Sequence, residues 1–313
     1  MIDKSKFYIW TEKFRPSTLE DCVLPKTTKK QIEEFMEQGQ IPHMLFSGSA
    51  GTGKTTLAKV IAHKLNADLL YINASNENGI DTVRMKIVQF ASTSSFENNL
   101  KIILLDEADH LSTASQAALR ATLEEFHEST RFILTCNFKN KIIEPLHSRC
   151  AHIDFTIPVA EKQEIAGKIF KRVSSILVTE NVEADKKVVA ALVMKYFPDF
   201  RKILNELQRF STGGTIDASI LVDANTTTDE LFEAMKAKKF MEVRKWFARN
   251  ADLDHQGLFR TFYDRAPELF LGPSLPSIIL CLAQYQHWSS SVVDQELNSV
   301  AMAVEIMASA EWK

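Results

Sequence analysis

The sequence predicts an α/β domain, a parallel sheet with helices on both faces, followed by helical domains up to the C-terminus. Three observations predict it. Residues 43–155 alternate five short apolar runs with helix-periodic segments. Several of those runs are apolar without a break, as strands covered on both faces should be. After Pro158 the strand-like runs stop and helical periodicity takes over.

The strand candidates in order are "HMLFSG", "DLLYINAS", "KIILLDEA", "RFILTCN" and "HIDFTI". Between them lie "KTTLAKVIAHKL", then "IDTVRMKIVQF", where Ile80, Val83, Ile87 and Phe90 share one helical face. In "SQAALRATLEEF" residues Ala118, Leu119, Leu123 and Phe126 do the same. Such alternation builds a parallel sheet with crossover helices. "STGGT" at 211–215 reads as a helix-ending loop, and "LGPSLP" at 271–276 as a second helix break. Boundaries near 158 and 226 give domains 1–158, 159–226 and 227–313. The apolar stripes of "SIILCLAQY" and "SVAMAVEIMA" are expected to form a bundle core, with part of a stripe available to another subunit.

A chain of 313 residues is too long for one ordinary core, so two or three domains are expected. Net charge is −3, from 37 basic and 40 acidic residues, so a nucleic-acid surface has to be a local patch. Cys22, Cys136, Cys150 and Cys281 are far apart without a CxxC pair, which argues against a zinc site or a disulfide framework. The charged N-terminal stretch does not resemble a signal peptide, and no apolar run approaches the ~20 residues of a membrane span. A cytoplasmic protein without a membrane partner is expected.

"GSAGTGKT", Gly48 to Thr55, follows an apolar strand and opens a helix, which is the P-loop context. Its glycines, Gly51 and Gly53 among them, free the backbone so that N–H groups surround phosphates; Thr52 and Thr56 belong to the same cradle. Lys54 is expected to neutralise phosphate charge and Thr55 to place a hydroxyl on Mg²⁺. In "KIILLDEADH", Asp106 ends a strand where open α/β sheets bind ligands, and would hold Mg²⁺. Glu107 is placed to orient or deprotonate a water. Asp109 has a competing role as a cap of the following segment. Asn137, one strand further on in "TCN", points to the same crevice. An NKxD base-recognition motif and an LSGGQ signature are both missing, so ATP is the expected nucleotide. "DEAD" also names a helicase class, but that class needs a second RecA-like domain, and residues 160–313 read as helices.

Five stretches carry a family resemblance: "WTEKFRPSTLEDCV" at 10–23, "GTGKTTLA" at 51–58, "INAS" at 72–75, "LLDEAD" at 104–109 and "HSRC" at 147–150. With them the chain resembles AAA+ ATPases, and among these the sliding-clamp-loader subunits of the replication factor C type. "FPDFRKILNELQRFS" and the overall length look most like the ATP-binding large subunits of T4-type phage clamp loaders. The resemblance implies a P-loop AAA+ domain, a small helical lid domain and a C-terminal helical collar domain. It implies that Thr11, Glu12, Lys13, Phe14 and Val23 touch the nucleotide. Arg201 would reach phosphate from the lid of the same subunit, and Arg149 would be an arginine finger for the ATP of a neighbour. The residue read directly as an ion-pairing alternative for Arg201 is Glu206. Asn73 resembles a switch holding the catalytic glutamate, and Gln116 and Arg120 lie on a helix linking ATP sites to DNA contacts. Ile80, Arg84 and Lys86 open a helix that would hold duplex phosphates, although Glu77 and Asn78 stand where many relatives are basic. The implied partners are a sliding clamp, primer–template DNA, further copies of the chain and a non-identical small clamp-loader subunit, in a bacterial host's cytoplasm for a phage protein.

Overall fold

The computed structural model describes residues 8–39, 41–76, 80–93, 100–211, 214–216, 219–250, 255–289 and 291–313. The chain forms two compact units, Met1–Ile220 and Leu221–Lys313.

The first unit opens with a single turn α1 (Trp10–Lys13) and α2 (Lys26–Glu37). Then come β1 (Met44–Ser47), α3 (Lys54–Lys64), β2 (Asp68–Asn73), α4 (Ile80–Ser92), β3 (Lys101–Asp106), α5 (Thr113–Glu125), β4 (Thr130–Cys136), α6 (Glu144–His147) and β5 (Ala151–Asp154). Each expected apolar run holds one strand. All five strands are parallel, in the order β2-β3-β4-β1-β5. Every residue of β1 and β3 is buried, which is why those runs lack a polar alternation.

The side-chain period of two divides the strands between two cores. Met44, Phe46, Ile102 and Leu104 face Leu57 and Ile61 of α3 and Ile32 of α2. Leu45, Ile103, Leu105 and Phe132 face Val83 and Ile87 of α4 and Leu119 and Leu123 of α5. Helices therefore cover both faces. Lys101, buried at the start of β3, donates to Phe90 O at 2.8 Å and Thr93 Oγ1 at 3.1 Å. It supplies a cation to the C-terminal end of α4, where helix carbonyls concentrate negative charge.

His43, just before β1, accepts from Phe132 N at 3.1 Å and sets its ring edge on Phe132. Burial, reinforced by Arg131, lowers its pKa to about 4. The unfolded chain, with a histidine near its ordinary ~6.5, binds more protons in the window down to about 4. The contribution is thus complete above about pH 6.5 and is lost as pH falls towards 4. Denaturant titrations of the chain and of His43→Asn are expected to show about 1 kcal/mol more acid loss for the unaltered chain at pH ~5, the figure being discounted for partial exposure of the ring. Identical pH slopes would show that His43 does not titrate in this way.

The unit closes with α7 (Lys162–Thr179), β6 (Glu183–Ala184), α8 (Lys186–Tyr196), α9 (Phe200–Phe210) and β7 (Thr215–Ile216). The expectation that strands cease after Pro158 is corrected here, because β6 and β7 pair in parallel. Two-residue strands are too short to leave any periodicity in a sequence.

The second unit is helical. α10 (Ser219–Lys236) runs through the position near 226 where a boundary is expected from sequence. α11 (Phe240–Arg249), α12 (His255–Leu269), α13 (Leu275–Ser289) and α14 (Gln295–Ser309) follow. Leu231, Met235, Phe247, Phe262, Phe270, Ile278, Met302 and Ile306 form their common core. Gly272–Ser274 form one 3₁₀ turn between α12 and α13, at the expected "LGPSLP" break. Leu280 and Leu297 stay exposed on α13 and α14, outside the core-facing stripe.

Candidate functional site

The P-loop links the end of β1 to α3. Gly51 has φ +72°, and a Cβ there would lie 1.8 Å from Asp199 Oδ1. Asp199 caps α9, and Phe200 N donates to Gly51 O at 3.3 Å, so the lid helix abuts the loop at a residue without a side chain. At Gly48 a Cβ would meet Phe155 Cβ at 2.8 Å.

Lys54 is the first residue of α3 and is buried. Its Nζ donates to Gly48 O (2.7 Å), Ser49 O (2.8 Å) and Asn137 Oδ1 (2.9 Å). Burial holds its pKa below the ordinary lysine range, against the opposing pull of Asp106 and Asp109. Thr55 Oγ1 donates to Asp106 Oδ1 at 2.7 Å, and Thr135 Oγ1 to the same oxygen at 2.6 Å. Thr135 Oγ1 also accepts from Glu107 N at 3.0 Å. Thr135 has no role assigned from sequence, yet it fixes both acidic residues. Glu107 has φ +57°, a left-handed backbone that costs a non-glycine residue about 1 kcal/mol or more and that turns the chain sharply off β3. Glu107 lines a small pocket of about 70 Å³ beside the P-loop with Lys54, Asn137 and Arg201.

Asp109 is buried, and its Oδ2 accepts from Asn137 N and Phe138 N, both at 3.2 Å. It braces the end of β4 and thereby the backbone of Asn137; the competing cap of its own segment is not what the hydrogen bonds show. Asn73, in register with Asp106 across β2 and β3, lines the cleft. Its Oδ1 accepts from Ser75 N (2.8 Å) and Ser75 Oγ (2.7 Å).

The cleft has a volume of about 440 Å³. Thr11, Glu12, Phe14 and Val23 line it, as do Gly51, Thr52, Gly53, Thr55, Thr56 and Arg201. Lys13 is a correction, because its Nζ pairs with Glu180 at the end of α7 and it is absent from the lining. On the single turn of α1, Lys13 faces the lid, where an opposite charge captures it. Tyr71, Ile165, Ile169, Arg172 and Leu204 line the cleft without having been singled out by sequence. Glu206, the alternative partner for Arg201, pairs with Arg209 at 3.0 Å, while Arg201 lines the cleft.

Gln116 is buried and knits α5 to the segment before α6. Its Nε2 donates to Leu111 O (3.1 Å) and Lys141 O (3.0 Å), and its Oε1 accepts from Ile143 N (2.8 Å). Arg120 is exposed, 3.6 Å from Glu124, which also receives Arg149. Arg84 and Lys86 are exposed on α4. The Ile80 side chain, Glu77 and Asn78 lie outside the described residues.

Two family models match. The ATPase family associated with various cellular activities (AAA) covers residues 44–157. The sliding-clamp-loader large subunit, AAA+ ATPase lid domain, covers residues 161–222. The sliding-clamp-loader large subunit of Escherichia phage RB69 is 35% identical over 319 residues, spanning 99% of this chain and 98% of its own. The chain belongs to the sliding-clamp-loader large-subunit family. The corresponding subunit of Enterobacteria phage T4 is 34% identical over 98% of both chains. The replication factor C small subunit of Archaeoglobus fulgidus is 39% identical over 78% of each. The K64R mutant of Thermotoga maritima RuvB superposes with a TM-score of 0.57 at 15% identity, over 91% of this chain and 90% of that one, and so shares the fold. The chain therefore has an AAA domain with a parallel sheet flanked by helices, a lid domain and C-terminal helices. Among its described residues no helix is long and apolar enough to cross a membrane.

Proposed function

We propose that the chain is the ATP-hydrolysing subunit of a DNA sliding-clamp loader. ATP binding assembles a spiral of subunits that opens the clamp and grips primer–template DNA, and hydrolysis releases the closed clamp. The observation that carries the reading is the convergence of Lys54, Thr55, Asp106 and Asn137 by hydrogen bonds at the C-terminal ends of β1, β3 and β4, with Glu107 beside them. The hydroxyl of Thr55 and the carboxylate of Asp106, 2.7 Å apart, are hard oxygen donors that suit Mg²⁺. That ion, when held there, neutralises phosphate charge during transfer.

The remaining work belongs to the protein. Lys54 exchanges its carbonyl and Asn137 partners for phosphate oxygens, Asn137 orients the γ-phosphate or the water, and Glu107 takes the water's proton. Thr11, Glu12, Phe14 and Val23 hold the adenine, and Arg201 closes over the phosphates. Arg149 serves the site of the next copy. Arg84, Lys86 and the start of α4 hold duplex phosphates. Domains 1–158, 159–226 and 227–313 then act as motor, lid and collar in a soluble host-cytoplasmic assembly with a small, non-identical subunit. ATPase assays of the assembled loader are expected to show stimulation by sliding clamp plus primed DNA. A rate unmoved by both, with the partner subunit present, would overturn the proposal.

A further inference from the structure

Tyr71 lies on β2, the edge strand, where Asn73 pairs with Asp106 and Tyr71 pairs with Leu104. All four residues face the same side of the sheet, so Tyr71 reaches Asp106 diagonally. Its hydroxyl donates to Asp106 Oδ2 at 3.1 Å. The other carboxylate oxygen is held by the hydroxyls of Thr55 and Thr135. Lys59 of α3, one helical turn beyond Thr55, places its Nζ 4.7 Å from the ring centroid. The phenol is thus steered from one side by a cation and from the other by a carboxylate.

Packing alone does not account for this arrangement. Tyr71 is 43% exposed, on an edge strand, so its ring buries little, while its oxygen reaches a carboxylate that is only 8% exposed. A buried carboxylate free to rotate presents either oxygen to a cation; one fixed by three hydroxyls presents a single geometry. Groups behind a metal ligand that orient it in this way typically contribute 10- to 100-fold to affinity.

We propose that Tyr71 is a positioning residue for the divalent cation, locking Asp106 through Oδ2 so that Oδ1 and Thr55 face the ion together. The proposal rests on the ATPase reading above. Its test uses the full chain with Mn²⁺ as the probe and a non-hydrolysable ATP analogue, free Mn²⁺ being followed by electron paramagnetic resonance. Tyr71→Phe removes one oxygen and keeps the ring. It is expected to raise the Mn²⁺ dissociation constant about tenfold. Analogue affinity measured in a chelator, without any cation, is expected to stay unchanged. An unchanged Mn²⁺ constant would overturn the proposal. So would an equal loss of metal-free affinity, which would make Tyr71 a contact of the nucleotide itself. If the unaltered chain takes up no Mn²⁺ with the analogue, the ATPase reading falls and Tyr71's role with it.

Discussion

Replacing Arg149 by alanine is expected to leave ATP binding intact and to lower clamp- and DNA-stimulated hydrolysis about 10³-fold. The geometry separates those two effects. Arg149 sits just after α6 and does not line its own chain's cleft, so its loss removes no contact from the nucleotide bound there. Its Nε donates to Glu124 Oε1 at 2.7 Å, and one terminal nitrogen donates to Pro145 O at 2.9 Å. Glu124 is half exposed, its pKa held down by the Arg149 hydrogen bond, and a pair of this kind is weak because water competes for it. A phosphoryl group gaining charge in a closed interface is the stronger partner. Single-turnover hydrolysis and equilibrium nucleotide binding, measured on the assembled loader, check both halves. Full stimulated turnover in the variant would sink the assignment of Arg149 to a neighbouring site.

The parts of the molecule that were legible in sequence are those where one physical demand acts on consecutive residues. Burial on both faces makes "KIILLD" continuously apolar, and the phosphate cradle needs glycines at fixed spacing before a helix. The strand set and the P-loop follow from those demands. Contacts made across the sheet leave no such trace. Thr135 is one polar residue in an apolar run, yet it joins Asp106 to Glu107. Tyr71 reads as an ordinary strand aromatic until the register brings it diagonally to Asp106. Asp109 shows the same limit, since its partners are backbone N–H groups 28 and 29 positions away. Lys13 was misjudged for the opposite reason. It lies inside a motif whose other members line the cleft, but its own direction on α1 is decided by Glu180, 167 positions away. Gln116, named from resemblance alone, gains a physical reason: it ties three backbone groups from two segments, so a shift of α5 reaches the chain leading to Arg149.

Glu107→Gln is expected to reduce the rate of hydrolysis by about 10²- to 10⁴-fold with nucleotide affinity unchanged. The substitution keeps shape and removes the proton acceptor. Its backbone requirements are met equally by glutamine, because the left-handed φ of +57° and the bond from N–H to Thr135 Oγ1 involve no atom of the carboxylate. The Thr55–Asp106 and Lys54–Asn137 hydrogen bonds involve no atom of residue 107, so the groups expected to hold cation and phosphate keep their places. A loader built with this variant should therefore reach the ATP-bound state, hold clamp and primed DNA, and fail to release them. That separation distinguishes a base from a ligand: loss of a ligand weakens binding and turnover together, whereas loss of a base leaves a stable, slowly turning complex. Quenched-flow hydrolysis combined with clamp retention on immobilised DNA reads both properties. Wild-type turnover in Glu107→Gln would remove Glu107 from proton transfer. It would leave Asn137, held at its backbone by Asp109 and at its side chain by Lys54, as the group that orients the water.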